Sequence, residues 1–461
     1  MDPVALSKLS LDQRSQVMSL RVNRPELDID TLVDIMANEI FDRGLKVPQL
    51  VRAVDMLGPL AVDAGKRIWR YDAGVWLPDG DAELTRRVLL CTGDRYKADY
   101  PRQAESIIKA RTPKIQGLGP SHLINVKNGM LNWSTLEVLP HDAKYYSTYQ
   151  VTVPWNPQAT CPTVEHWFAE TFDERLHNLL WQVIGVTIYP GMGFQKIIAL
   201  VGSGYNGKGT LQRLCMGLLP ESAYTGIDPR ELVNNRFKPA ELFGKTANIC
   251  GDIERFTFNS TAELKKITGD DPINAERKMG HPFTFVNQAT ILIAANKMPQ
   301  SRDTSDGWFR RWHIVPLERK ISGRPDRSLE PRMKEEREGV LVKAVLALRQ
   351  AMEQGGFDEP EESKRALREY QHACNSIALF VNERITFGAH LKAPVSRKVV
   401  YSAYKEFCRD ERLEIESRQR FYESLEDMGA PYITDHWTTR DDRDRGYVGL
   451  HCEGVFDPTS F

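Results

Sequence analysis

The sequence predicts an α/β fold, and three observations carry that expectation. From Gln195 to about Leu317, short apolar strands alternate with helical segments. The first of these strands, Ile197-Ile198-Ala199-Leu200-Val201, runs into a glycine-rich loop that opens a helix. Two further apolar strands lead to Asp252 and Asn296, so polar groups collect at one expected sheet edge, where open α/β sheets bind ligands.

Composition bounds the rest. The 461 residues suggest about three domains at ~150 residues each. Lys plus Arg is 61 and Asp plus Glu is 62, a net charge of −1. That balance excludes a uniformly basic nucleic-acid coat but leaves room for a basic stripe on one face. No apolar run approaches the ~18 residues of a membrane span, so no membrane partner is expected. Met1-Asp2-Pro3-Val4 lacks a basic stretch followed by an apolar one, so no secretory signal is expected. The seven cysteines are scattered and form no C-x-x-C. A disulfide framework or zinc ribbon is therefore not expected, and a reducing, cytoplasmic setting is.

In chain order, residues 1–65 read as a helical segment. Ile29, Leu32, Val33, Met36 and Ile40 share one helical face, and Asp30 is the expected N-cap. Residues 66–175 read as an accessory domain. It has a hairpin around Asp72-Ala73-Gly74, helices over 83–90 and 102–110, and a second hairpin at Asn128-Gly129. After a linker marked by Pro154, Pro157 and Pro162, one helical stretch is expected over 164–188. Residues 176–325 hold the α/β core. Residues 326–375 form a helical connector broken at Gly355-Gly356, and 376–461 a small C-terminal domain.

The strongest signal is Gly202-Ser203-Gly204-Tyr205-Asn206-Gly207-Lys208-Gly209-Thr210, after a strand and before a helix. Backbone N–H groups of such a loop and the helix N-terminus bind phosphate oxygens, and Lys208 adds a point charge. Gly207 lets the backbone approach closely. The residue after the lysine is usually Ser or Thr, the Mg²⁺ ligand, but here it is Gly209. The hydroxyl of Thr210 or acidic groups must serve instead. Asp252 is the favoured essential acid, with Glu254 in support, because carboxylates at a strand end beside such a loop hold magnesium and orient water. Asn296 ends the third strand, where a polar group can sense the γ-phosphate. Arg310 and Arg311 lie among large apolar residues, a setting that suits a rigidly presented guanidinium acting on a neighbour's phosphate.

Taken together, these segments resemble the superfamily 3 helicases, in the branch shared by poxvirus helicase-primases and phage and plasmid primases. The loop 202–210, the approach Phe237 to Lys245, the segments Leu264 to Ile273 and Arg277 to Phe285, the strand end Ala294 to Pro299, and Trp308 to Leu317 carry the resemblance. Upstream, Asn125 to Leu131 and Leu139-Pro140-His141 match the accessory domain of that branch. The resemblance implies an AAA+-like P-loop ATPase core, a mostly helical N-terminal part and a C-terminal winged helix. It also implies a homohexameric ring that hydrolyses ATP with Mg²⁺ at subunit interfaces and moves along DNA 3′ to 5′. A separate primase or polymerase would be a further partner, since no primase domain is expected here. Arg311 fits the arginine-finger position best, with Arg310 beside it. Asp252 and Thr210 are the candidate magnesium ligands.

For DNA contact, Arg277, Lys278 and His281 sit at the tip of an expected hairpin between strands 272–275 and 283–286, and Lys265 and Lys266 precede it. Several copies lining a channel would contact phosphates without reading sequence. Ser417 is an expected N-cap of a helix that starts Arg418-Gln419-Arg420, with a wing hairpin over 437–448. That module docks DNA or protein. The rival readings are an origin-binding initiator that uses ATP as an assembly switch, the helicase part of a helicase-primase, and an unrelated P-loop kinase or transferase.

Overall fold

The computed structural model describes residues 44–111, 114–254, 256–258, 260–278, 280–321, 326–411, 413, 415–437 and 445–453, with 14, 17, 18, 32, 40 and 41 from the N-terminal stretch. The expected N-cap Asp30 and most of the expected helix over 29–41 lie outside the described residues. The chain divides into two units. The first holds residues 1–253, 262–296 and 317–360, and the second 254–261, 297–316 and 361–461.

The first unit opens with α1 (Val47–Met56), β1 (Leu60–Val62), β2 (Ile68–Asp72), β3 (Val75–Leu77), α2 (Gly80–Thr92) and α3 (Tyr100–Lys109). Pro48 sits in the first turn of α1, where its missing N–H costs nothing. Leu50 and Val54 of α1 share a core with Leu84, Val88, Ala104 and Ile108. The expected hairpin at Asp72-Ala73-Gly74 is β2–β3. β1 pairs with β2 at Val62↔Ile68, so the expected segment boundary after residue 65 falls inside a three-stranded sheet. A second antiparallel sheet follows, with β4 (Leu123–Val126), β5 (Gly129–Asn132) and β6 (Val138–Leu139). Its first turn is Lys127-Asn128, between the paired residues Val126 and Gly129.

The single helical stretch expected over 164–188 is two helices, α4 (Pro162–Thr171) and α5 (His177–Ile188). Asp173 accepts from Arg175 N and starts a separate short turn between them. Further elements of the unit are β7 (Ile197–Val201), α6 (Lys208–Gly217), β8 (Tyr224–Thr225), α7 (Pro229–Asn234), β9 (Ala247–Ile253) and α8 (Ala262–Ile267). The hairpin strands β10 (Pro272–Ala275) and β11 (Phe283–Val286) follow, then β12 (Thr290–Ala295), α9 (Leu329–Glu335) and α10 (Arg337–Gln354). Within this unit the parallel strands run in the order β7–β12–β9–β8. β12 is buried along its whole length, as a strand covered on both faces must be. α5 packs on α10 at close range: a Cβ at Gly185 would stand 2.4 Å from Ala344 O.

β9 carries an irregularity that matters for the site. Ile293 pairs with Cys250 but the next residue, Ala294, pairs with Asp252, so Gly251 is the extra residue of a bulge. Such a bulge re-aims the side chains after it. Cys250 is buried and Asp252 is exposed, although two residues apart in a strand would otherwise share a face.

In the second unit, Trp308, Trp312 and Tyr370 pack edge to face, and Trp308 Nε1 donates to Tyr370 OH at 3.3 Å. Its C-terminal part runs α11 (Ser376–Arg384), β13 (Val395–Ser396), α12 (Arg397–Asp410), α13 (Arg418–Gly429), β14 (Thr434–Trp437) and β15 (Arg445–Val448). The three strands are ordered β13–β15–β14 and antiparallel. Phe380, Tyr404, Phe421 and Tyr447 form the core. Ser417 caps α13, its side chain accepting from Arg420 N. The tip between β14 and β15 lies outside the described residues. Among the described residues no helix is long and apolar enough to cross a membrane.

Candidate functional site

The site begins where β7 ends. The loop 202–207 leaves Val201 and enters α6 at Lys208. Gly207 holds φ at +80°, a left-handed conformation that costs glycine little. A Cβ there would also stand 2.8 Å from Thr171 Cγ2 and 3.0 Å from Phe172 Cζ. The C-terminal end of α4 therefore rests on the loop, and a side chain at 207 would be strained and would force it to shift. That end is itself tied down by Arg319, whose Nη1 donates to the carbonyls of Ala169, Glu170 and Phe172 at 3.1, 3.4 and 3.1 Å. A cation at a helix C-terminus satisfies carbonyls that lack helical partners. Asn206 is buried and donates Nδ2 to Leu317 O at 2.8 Å.

Lys208 is 5% exposed. Its ammonium donates to Gly202 O, to Asn206 Oδ1 at 3.2 Å and to Asn296 Oδ1 at 3.4 Å. Burial pulls its pKa below the ordinary lysine value, and the Asp252 carboxylate pulls the other way. The loop, Lys208, Thr210, Asp252, residues of α4 and Arg319 line one cleft of about 1160 Å³. A buried ammonium, a glycine-rich loop and a helix N-terminus that line one cleft can take a chain of phosphates.

The structure thus brings Gly204, Asn206, Gly207, Lys208, Gly209, Thr210 and Asp252 to one cleft, joins Asn296 to it through Lys208, and places Gly202 at the base of the loop. Glu254, Arg310 and Arg311 belong to the second unit. The pair of arginines differs from expectation. Arg311 is 8% exposed and its Nη1 donates back to Gly307 O, whereas Arg310 is exposed. Their helix, Asp306–Phe309, buries Trp308 and Phe309, and the residue order after it turns Arg311 inward.

The expected basic hairpin exists as β10–β11, paired from Pro272↔Val286 to Ala275↔Phe283. Arg277 does not stand at an exposed tip. Its guanidinium lies 4.6 Å from the Phe283 ring centroid and 5.7 Å from that of Phe243. It also pairs with Asp63 at 3.7 Å, a carboxylate 1% exposed that accepts from Arg67 N and Trp69 Nε1. Burial lowers the Arg277 pKa, with Asp63 opposing. Two aromatic faces and a buried carboxylate outbid solvent for this arginine. Lys278 and His281 are exposed. Lys266 is exposed and pairs with Glu263 at 2.9 Å, and Lys265 is half-buried on the same six-residue helix.

Sequence reading missed Arg213, Arg319 and Glu330, all of which line the cleft. Arg319 and Glu330 arrive from far along the chain and leave no local signal. Arg213 stands four residues after Gly209 on α6, hence on the same helix face, and that spacing was legible.

A magnesium ion carried by a nucleotide needs one or two protein oxygens besides phosphate and water. Asp252 and the Thr210 hydroxyl are such donors in the cleft, and this sparse oxygen set fits that ion. Among the described residues no group of three or more His, Cys, Asp or Glu side chains forms a metal cage.

Comparison with known proteins matches two separate stretches of the chain. Residues 54–173 match the D5 N terminal like family, and residues 200–311 match a family of unknown function, DUF5906. A protein of Acanthamoeba polyphaga mimivirus named "Putative helicase L207/L206" is 22% identical over 276 residues, 52% of this chain and 28% of that protein. The match therefore spans under a third of that relative's length. Among solved structures, the apo C-terminal region of NrS-1 (residues 305–718) superposes with a TM-score of 0.50 at 11% identity, covering 87% of this chain and 98% of that one. Its A form gives 0.48 at 10% identity, with the same coverage. The former likeness is one of fold.

Proposed function

We propose that the chain is an ATP-dependent replicative DNA helicase of a mobile genetic element, of superfamily 3 type, working as a homohexameric ring on single-stranded or forked DNA. The observation that carries this reading is the cleft that joins the glycine-rich loop, buried Lys208, Asp252 and, through Lys208, Asn296. In the reading, the loop and Lys208 hold the β- and γ-phosphates. Asp252 accepts a hydrogen bond from the attacking water, and Asn296 orients Lys208 and that water. Water oxygen bonds to the γ-phosphorus as the bond to the β–γ bridging oxygen breaks; the electron pair stays on the leaving ADP oxygen and one water proton passes by way of Asp252 to solvent, giving ADP and hydrogen phosphate. Magnesium, when bound, would neutralise charge on the phosphate oxygens, with Asp252 and Thr210 as its protein donors.

Arg310, by its exposure, is assigned to the neighbouring protomer's cleft, and Arg311 to the positioning of that segment. Lys278 and His281 would touch DNA phosphates, with Lys265 and Lys266 as outer contacts, while Arg277 secures the hairpin base. The C-terminal order α11–β13–α12–α13–β14–β15 supports a winged helix. Exposed Arg418 and Gln419 at the start of α13 favour a second reading, an origin-binding initiator in which ATP switches assembly. ATP hydrolysis measured with and without single-stranded DNA tests the first reading. Turnover stimulated by DNA supports it, and turnover indifferent to DNA, or absent, contradicts it.

A further inference from the structure

Gly209 leaves the first turn of α6 without the hydroxyl that usually follows the lysine, and the space beside it is taken. A Cβ built on Gly209 would stand 3.2 Å from Arg213 Nη1 and 3.9 Å from its Cζ. Arg213 Nη2 donates to Thr210 Oγ1 at 3.2 Å. Its Nε and Nη2 donate to Glu330 Oε1 at 2.9 and 2.6 Å. Arg213, Thr210, Glu330 and Lys208 all line the cleft. A second cation thus lines the cleft beside Gly209 on α6. A side chain at 209 and the guanidinium exclude each other there without a shift of a few tenths of an ångström.

We propose that Arg213 is a phosphate-binding residue of this cleft, exchanging Glu330 for an oxygen of the nucleotide's phosphate chain. The inference rests on the reading that the cleft takes a nucleoside polyphosphate. Its ground is the competition between two partners. The Arg213–Glu330 pair is about half exposed on both sides, 53% and 48%, and such pairs hold weakly in water. A phosphate offers the planar fork two charge-assisted hydrogen bonds inside a cleft, which is the stronger match. Glu330 then acts as a holder that keeps the guanidinium pointed at the cleft before the nucleotide arrives. Glycine at 209 lets the guanidinium keep this place without that shift.

The test is equilibrium titration of the full chain with fluorescent ADP and ATP analogues, with magnesium and with it chelated. Arg213→Ala is expected to weaken both nucleotides at least tenfold, magnesium or not. Arg213→Lys, which keeps the charge and loses the fork, should fall between. Glu330→Gln should bind as tightly as wild type or more tightly, because it frees the guanidinium. Thermal unfolding of each variant reads its fold independently. Arg213→Ala binding within twofold of wild type would overturn the proposal. So would equal weakening by Arg213→Ala and Glu330→Gln, since that marks a tether between α6 and α9. A wild-type chain that binds neither nucleotide would instead defeat the nucleotide reading, and the proposal with it.

Discussion

At the residue scale, Lys208 concentrates the electrostatics. It is buried with its pKa lowered, so an unliganded cleft disfavours its charge. A bound triphosphate favours that charge and raises the pKa again. Binding then takes up a proton. Affinity should be full below the free-state pKa, itself below the ordinary 10.5, and should fall as pH rises through it. Nucleotide titrations across alkaline pH check this, and affinity flat up to the ordinary lysine value would refute it. Lys208→Ala is expected to cut turnover by about two to three orders of magnitude, the cost of losing one preorganised charge donor. The loop and its lysine were legible because they are contiguous and flanked by a strand and a helix. The outward aim of Asp252 was not, because it depends on how β12 registers against β9 around Gly251. Nor was the inward turn of Arg311, which follows from the packing of Trp308 and Phe309 before it.

At the element scale, buried Arg87 and half-buried Arg277 fix helix and hairpin. Arg87 of α2 is 2% exposed, pairs with Glu83 at 2.8 Å and donates to Val54 O and Gly58 O. Burial pushes the Glu83 pKa up, but hydrogen bonds from Arg86 and Arg87 outweigh it and leave the group at about 2. A depressed carboxyl pKa stabilises the fold above the unfolded-state value near 4.5 and loses that stabilisation as pH falls through about 2. Arg87→Met should therefore cost about 3 kcal/mol near neutral pH. Its deficit relative to wild type should shrink between pH 4.5 and 2 in denaturant melts.

On the hairpin, Lys278→Ala should leave thermal stability unchanged and reduce the slope of log affinity against log salt for single-stranded DNA by about 0.7. Arg277→Ala should lower the melting temperature instead. An unchanged salt slope in Lys278→Ala would remove the hairpin from the DNA path. Both hairpin strands were legible to the residue, since alternating Ile273, Ala275, Phe283 and Phe285 face the core. The fate of Arg277 was not, because Asp63 comes just after β1, far back along the chain.

At the scale of the whole molecule, the linear boundaries expected from composition could not show that the chain leaves the first unit at 254–261 and 297–316 and returns. Discontinuous units mix residues whose local patterns look continuous, and only long-range pairing separates them. A ring with shared sites makes a prediction that single-chain chemistry does not. Lys208→Ala lacks a working cleft but presents Arg310, and Arg310→Ala lacks the arginine but keeps a cleft. Each alone should be inactive, and mixed protomers should regain part of the ATP turnover. No recovery on mixing, or normal turnover by an isolated Arg310→Ala monomer, would remove the trans role.

The most direct measurement is strand displacement on forked DNA with single tails of opposite polarity, with ATP and without. The wild-type chain is expected to separate the strands only with ATP and with the 3′ tail to run on, and Lys208→Ala to separate none. Strand separation that proceeds equally without ATP, or none at all from a wild-type chain that binds ATP and the fork, would contradict a nucleotide-driven motor.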